Sequence, residues 1–229
     1  MYDLYIANKN YSSWSLRPWL VLRELGIPFN EHMVPFDEEP RWVELRKISP
    51  SGKVPCLDDN GTKIWESSAI VEYLAERHPN VWPSDPAARD WARCAAAEMH
   101  AGFGNLRSRC TMNCGVRARL HEVPPELTKD ITRLAGLWND GLSRFGGPFL
   151  AGKAFTAVDA FFGPVAYRIQ TYGLTLDDTA AAYAARLLAL PSMQSWYADA
   201  LRETARPPSQ ESALEKMATV FEDLRAKAG

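Results

Sequence analysis

A chain of 229 residues that is 46% hydrophobic and 24% charged can bury one large core or two moderate ones, and two domains are the expectation. A formal net charge of -2 and a pI near 6.1 give no broad pull toward phosphate backbones or anionic lipid, so nucleic acid is not an expected partner. No apolar run approaches the roughly 18 residues that a bilayer span needs, so no membrane partner is expected either. In chain order, Leu4-Tyr5-Ile6 reads as a strand, Leu16 to Leu25 as a helix stopped by Gly26, and Phe29 to Val34 as a second strand. A helix from Arg41 to Lys47 follows, then Val54 to Leu57 as a strand, Asp58-Asp59-Asn60-Gly61 as a hairpin turn, and Lys63-Ile64-Trp65 as the returning strand. A helix from Ser67 to Glu76 closes this unit, and the prolines of His78 to Pro83 mark a linker.

After Pro86 the pattern is helical to the end, over residues 87–113, 125–145, 157–170, 180–189, 191–204 and 210–226. Thr156-Ala157-Val158-Asp159 has the spacing of a capping box with Asp in place of Glu, and Phe155 stands at its staple position. The order β-α-β-α-β-β-α in the first part is that of a thioredoxin-like domain. The expected architecture is therefore α/β plus all-α. Residues 1–78 form a thioredoxin-like domain, 79–86 a linker, and 87–229 an all-helical domain.

Where a thioredoxin-like chain carries its reactive cysteine pair, this one has Ser12-Ser13-Trp14-Ser15-Leu16-Arg17. Two hydroxyls cannot form a disulfide. A hydroxyl at a helix start can donate to another molecule's thiolate, and the first backbone N–H groups of the helix favour the same anion. The spacing thus points to an external thiol. Pro18 is compatible with this helix if the helix begins no earlier than about Ser15. The four cysteines, Cys56, Cys94, Cys110 and Cys114, have neither CxxC spacing nor the density of a disulfide framework, and no signal segment opens the chain. A reduced, cytoplasmic setting is the expectation. Cys110 and Cys114, one helical turn apart, read as core thiols, and no metal is expected.

The thioredoxin-like half, the segment Ser51-Gly52-Lys53-Val54-Pro55-Cys56-Leu57, the pair Glu66-Ser67 opening a helix, and a helical half with a TxxD cap together resemble the cytosolic glutathione S-transferase superfamily over nearly the whole chain. Among its classes the serine-using zeta class, and its bacterial zeta-like members, are the most similar. Ser12-Ser13-Trp14-Ser15 resembles that class's SSCS segment, and Met99-His100 with Asn105-Leu106-Arg107 resembles its IHPxNNLR helix.

The resemblance implies glutathione as co-substrate, a small apolar electrophile as its partner in the reaction, and a homodimer. Ser12 is the first choice for the thiol contact and Ser13 the reserve; the plainer reading of either is a helix cap. Val54-Pro55 matches the superfamily's cis-proline position, where the Val54 N–H and C=O pair with the cysteinyl backbone of glutathione as an added strand would. A trans proline at a strand edge is the alternative. Glu66 and Ser67 match the pair that holds the γ-glutamyl end, or else simply start a helix. Lys53 reaches the glycyl carboxylate or is solvated.

The second-substrate pocket is expected at Trp14, Met99, His100 and Phe103, although such apolar stripes are usually core and His100 reads as a structural histidine. Trp14 stands where the zeta class has a cysteine, which argues against thiol transfer by the chain itself. The position of that class's dicarboxylate-binding arginine is Thr171 here, with Arg168 about one turn earlier. Glutathione transfer to small electrophiles is the leading expectation. The alternatives are a maleylacetoacetate-type isomerase and a non-catalytic module of the kind used in translation factors and stringent-starvation regulators.

Overall fold

The computed structural model describes residues 1–35 and 42–227. The strand β1 (Tyr2–Ile6) leads through α1 (Ser13–Glu24) to β2 (Phe29–Met33), which pairs with it in parallel. After α2 (Trp42–Ile48) come β3 (Cys56–Asp59) and β4 (Thr62–Trp65), and α3 (Ser67–Ala75) covers them. The sheet order is β2-β1-β3-β4, with β3 antiparallel to both neighbours. This is the expected thioredoxin-like arrangement.

Local chemistry explains its edges. Gly26 ends α1 in the left-handed region at φ +64°, and Asn60 and Gly61 take positive φ in the two-residue turn between β3 and β4, where a twisted hairpin requires it. The strand expected from Val54 begins instead at Cys56, just after Pro55, whose nitrogen has no hydrogen to give a ladder. Arg41, the expected first residue of the second helix, lies outside the described residues.

The helix α1 begins at Ser13, earlier than the Ser15 start that Pro18 was expected to demand. Pro18 therefore sits inside it, and the carbonyl of Trp14 receives no bond from the proline nitrogen. The Ser12 hydroxyl caps this first turn.

The second part is helical: α4 (Pro86–Ala101), α5 (Gly104–Arg109), α6 (Pro125–Phe145), α7 (Ala157–Tyr172), α8 (Asp178–Leu188), α9 (Pro191–Arg202) and α10 (Pro208–Met217). Two expected helices are shorter than the sequence pattern suggests. The stretch 87–113 breaks after Ala101, because Gly102 lies so close to the Glu98 carbonyl that a Cβ would be 2.7 Å from it, and Phe103 turns left-handed at φ 54°. Asp130 on α6 then accepts from the N–H groups of Asn105 and Leu106, both at 3.0 Å, and so starts α5. The stretch 210–226 ends as a helix at Met217. Its remainder forms β6 (Ala218–Asp223), antiparallel to β5 (Val116–Leu120).

The core is centred on α7, buried along almost its whole length. Gly163 permits the close packing of α7 on α1, since a Cβ there would stand 2.5 Å from Leu20 Cδ1. Trp138 meets Phe162 and Tyr183 edge-on at 5.6 and 4.8 Å. Each such fully buried side chain contributes about 1.5–3 kcal/mol by leaving water. The expected cap at the start of α7 is present. Thr156 N–H donates to Asp159 Oδ2 at 2.9 Å, and Leu150 N–H and Tyr183 O–H donate to Asp159 Oδ1. Burial still pushes the Asp159 carboxyl up to about 6.

The loop after β1 is held by the helical part. Lys9 Nζ pairs with Glu31 at 2.6 Å and Asp199 at 2.7 Å and lies over the rings of Trp19 and Trp196. Asn10 receives the N–H groups of Cys114 and Gly115 and donates to Asn113. These bonds fix where α1 starts.

Candidate active site

A cleft of about 1190 Å³ opens at that start. From the first part of the chain it is lined by Ser12, Ser13 and Trp14, by Val34 and Pro35, and by Lys53 and Val54. Ser12 is 5% exposed. Its hydroxyl donates to Ser15 Oγ at 2.8 Å and accepts, at 3.4 Å, from the Ser15 N–H, while Ser15 Oγ also accepts from the Ala7 N–H at 3.1 Å. Ser13 is half-buried, and its hydroxyl has no partner among the described residues. The Tyr11 hydroxyl points to Glu211 and Arg225, and burial first, then the Glu211 carboxylate, pushes it up to about 12.

The Val54–Pro55 bond is cis, as the motif predicts. The main-chain N–H and C=O of Val54 make no hydrogen bond among the described residues, and Lys53 is exposed beside it. Glu66 and Ser67 stand at the start of α3. The Glu66 carboxylate accepts from Ser68 N–H at 2.9 Å, Ala69 N–H at 3.1 Å and the Ser67 and Ser68 hydroxyls, so it caps its own helix. Burial raises its proton affinity, but these bonds and His100 outweigh that and leave it below the ordinary carboxylate range. Neither residue is part of the cleft lining.

The expected second wall is corrected by the structure. Trp14 lines the cleft, but Met99 and Phe103 are buried in the core, because α4 turns its apolar stripe inward before breaking at Gly102. His100 connects Glu66 to α1: its Nε2 lies 3.5 Å from Glu66 Oε2 and its Nδ1 3.4 Å from Arg17 Nη1. Its ring meets Trp14 edge-on at 5.2 Å. Burial, with Arg17 and Arg107 adding to it, keeps this imidazole below its usual range and thus neutral at pH 7, despite the Glu66 charge. From the helical part the cleft is lined instead by Gly102, Arg107, Ser108, Thr111 and Met112, with Arg168 from α7 and Gln210 from α10. Sequence reasoning named Arg107 only within the segment that resembles the zeta class and Arg168 only as a turn before the position of that class's arginine, and placed neither on the cleft. The signal for Arg168 was a lone guanidinium inside the apolar run Ala160 to Ile169. No group of three or more potential metal ligands occurs among the described residues.

Residues 11–77 match the family model for the N-terminal domain of glutathione S-transferase. That match lies in the thioredoxin-like part of the chain. The chain is 29% identical over 157 residues to glutathione S-transferase DHAR2 of Arabidopsis thaliana, covering 69% of this chain and 66% of that protein. It is also 26% identical over 183 residues to a stringent starvation protein A homolog of Pasteurella multocida, covering 77% of this chain and 82% of that one. In fold it is similar to a glutathione transferase homolog from Burkholderia solved with bound glutathione, at a TM-score of 0.65 and 22% identity, covering 87% of this chain and 97% of the other. Among the described residues no helix is long and apolar enough to cross a membrane.

Proposed function

We propose that this chain is a zeta-like member of the glutathione S-transferase superfamily that activates the thiol of bound glutathione for attack on a small electrophile. The observation that carries the reading is the convergence, on one cleft, of hydroxyls at the start of α1 with the unpaired main chain of Val54. Glutathione's cysteinyl backbone pairs with Val54 as an added strand, its glycyl carboxylate meets Lys53, and its γ-glutamyl end lies at the start of α3, where the Glu66 carboxylate meets its α-amino group and Ser67 its α-carboxylate.

Ser12 is the thiol's partner in this reading. In the structure the Ser12 hydroxyl donates to Ser15 Oγ at 2.8 Å; in this reading the O–H turns from Ser15 to the sulfur when glutathione binds. A thiol of pKa about 8.5 loses its proton more readily by roughly one to two units when one charge-assisted bond, worth about 1.5–3 kcal/mol, favours the anion. The sulfur pair then forms a bond to the electrophilic carbon while that carbon's bond to the leaving group breaks; a halide departs with the bonding pair, or an epoxide oxygen keeps it and is protonated by water, and the thiol proton has passed to solvent. Ser13 stands in reserve, with its hydroxyl uncommitted. We further propose residues 1–78 and 87–229 as the two domains, a homodimer as the assembly, and the cytoplasm as the setting.

The likeness to a stringent starvation protein A homolog supports a second reading, a non-catalytic binding module. A turnover screen with glutathione against aryl halides, epoxides, peroxides and a maleyl isomerisation substrate separates the two. Turnover above the solution rate with any of them is the expected result. Glutathione binding with no turnover of any would replace the enzyme by the module.

A further inference from the structure

The two residues before Ser12 are held by side chains from the α10–β6 segment and from the turn on which that segment packs. Tyr11 lines the cleft and is 6% exposed. Its hydroxyl donates to Glu211 Oε1 at 2.9 Å and accepts from Arg225 Nη1 at 3.0 Å, contacts that span 200 and 214 positions of sequence. Arg225 Nη1 also donates to Glu211 at 2.8 Å, and its Nε and Nη2 donate to the two oxygens of Asp223 at 2.9 and 2.8 Å, which fixes the plane of the guanidinium. Asn10 reaches the same Glu211 carboxylate through one intermediary. Its Nδ2 donates to Asn113 Oδ1 at 2.8 Å, and Asn113 Nδ2 donates to Glu211 Oε1 at 3.4 Å. Gly115, whose N–H donates to Asn10 Oδ1 at 2.9 Å, packs on Arg225 so closely that a Cβ would stand 2.3 Å from Arg225 Cγ.

These bonds converge on the peptide that joins Tyr11 to Ser12. The Tyr11 ring and the Asn10 amide are both pinned, Ser12 N–H donates to the Asn8 carbonyl at 2.9 Å, and Ser13 N–H donates to the Tyr11 carbonyl at 3.1 Å, so the main chain enters α1 along a fixed path. A hydrogen bond weakens steeply as its angle departs from linear, and a displacement of about 1 Å at a reacting group costs on the order of 10²-fold in rate. The aim of the Ser12 hydroxyl therefore depends on how firmly Tyr11 is held. Neither Glu211 nor Arg225 lines the cleft, so what they do at sulfur passes through Tyr11.

We infer that Glu211 and Arg225 are positioning residues of the thiol site, acting through the Tyr11 hydroxyl to keep Ser12 in line with the bound sulfur. This rests on the transferase reading above and adds to it a segment of chain remote from the glutathione contacts. Burial, and then the Glu211 carboxylate, push the Tyr11 hydroxyl up to about 12, so it keeps its proton and donates to Glu211 throughout the range in which a thiol ionises.

The test follows the thiolate absorbance of bound glutathione against pH in Tyr11→Phe, Glu211→Ala and Glu211→Gln. Tyr11→Phe and Glu211→Ala should each raise the midpoint by about half a unit, roughly a threefold loss of thiolate at neutral pH, with the affinity for S-methylglutathione unchanged. Glu211→Gln keeps an oxygen for the Tyr11 hydroxyl and should restore most of the wild-type midpoint. The double variant of Tyr11→Phe with Glu211→Ala should move it no further than either alone, because both break one path. Tyr183→Phe, which takes a buried hydroxyl from Asp159 away from the cleft lining, is the structural control: its Tm falls and its midpoint stays. A midpoint unmoved in Tyr11→Phe and Glu211→Ala, or moved as far in Tyr183→Phe, overturns the inference. Amide exchange in the free protein reads the tether without glutathione: faster exchange at the Ser12 and Ser13 N–H groups of Tyr11→Phe supports it, and protection equal to wild type overturns it. A wild type that shows no thiolate band overturns the transferase reading and the role at sulfur together, whereas an unmoved midpoint beside a normal wild-type band overturns the role alone.

Discussion

Ser12→Ala removes one oxygen that has three tasks, and they separate in measurement. Its cap on α1 accepts from Ser15 N–H at 3.4 Å, a long contact at the weak end of the usual range, about 0.5 kcal/mol. Its 2.8 Å bond to Ser15 Oγ contributes about 1 kcal/mol. Together these predict about 1.5 kcal/mol of lost stability, which in a chain of this size is a fall in Tm of about 3–6 °C. The third task is chemical: losing a charge-assisted bond to sulfur, about 1.5–3 kcal/mol, raises the bound thiol's pKa by roughly one to two units at about 1.36 kcal/mol each. Thiolate absorbance in the ultraviolet, followed against pH in the complex with glutathione, reads that midpoint directly, and the pH profile of kcat follows it. A Tm that falls as expected beside an unmoved midpoint refutes the chemical role and leaves Ser12 a cap. A midpoint that moves in Ser13→Ala instead transfers the role to the neighbouring hydroxyl.

Other perturbations probe the fold that holds this loop. Of the four thiols, Cys94 is exposed, whereas burial removes Cys56, Cys110 and Cys114 from solvent and raises the proton affinity of each, Cys110 to about 12. Iodoacetamide on the native protein should therefore add a single label by mass spectrometry and four after unfolding; a second rapid native label would contradict the packing. Gly163→Ala drives a methyl to within 2.5 Å of Leu20 Cδ1 and should cost about 1–3 kcal/mol by overpacking α7 on α1, read as a lower urea midpoint with the slope unchanged. Arg225→Ala removes a buried guanidinium that joins Glu211, Asp223 and Tyr11. It should cost about 1–3 kcal/mol and speed amide exchange in β6, and protection equal to wild type would show that the ribbon holds without it.

Much of the first part was legible because its signals are local. Gly26, the Asn60-Gly61 turn and the Ser12 cap each act within a few residues, and a period-two or helical pattern fills the space between. The failures share a different cause. The apolar spacing of Met99, Phe103 and Leu106 runs on as though α4 were continuous, yet the helix ends at Gly102 and the left-handed Phe103, and Asp130, distant in sequence, starts α5 from α6. The segment Ala218-Thr219-Val220-Phe221 has strand-favouring residues, yet its partner β5 lies about a hundred residues earlier, beyond the reach of any periodicity. At the site the same division holds. Ser12, Ser13, Trp14, Lys53 and Val54 meet at one cleft as the motifs suggest, whereas Met99 and Phe103 face the core and two arginines take their place. Which side of a broken helix faces a cleft is decided by packing against α6 and α7, and composition carries no record of it.

The central claim is that glutathione binds where α1 begins, against Val54. Isothermal titration of the tripeptide into the protein tests it most directly: the account predicts saturable heat at one site per chain, weakened by Val54→Pro, which removes the N–H that an added strand needs. No heat at millimolar glutathione, or binding that Val54→Pro leaves unchanged, would contradict it.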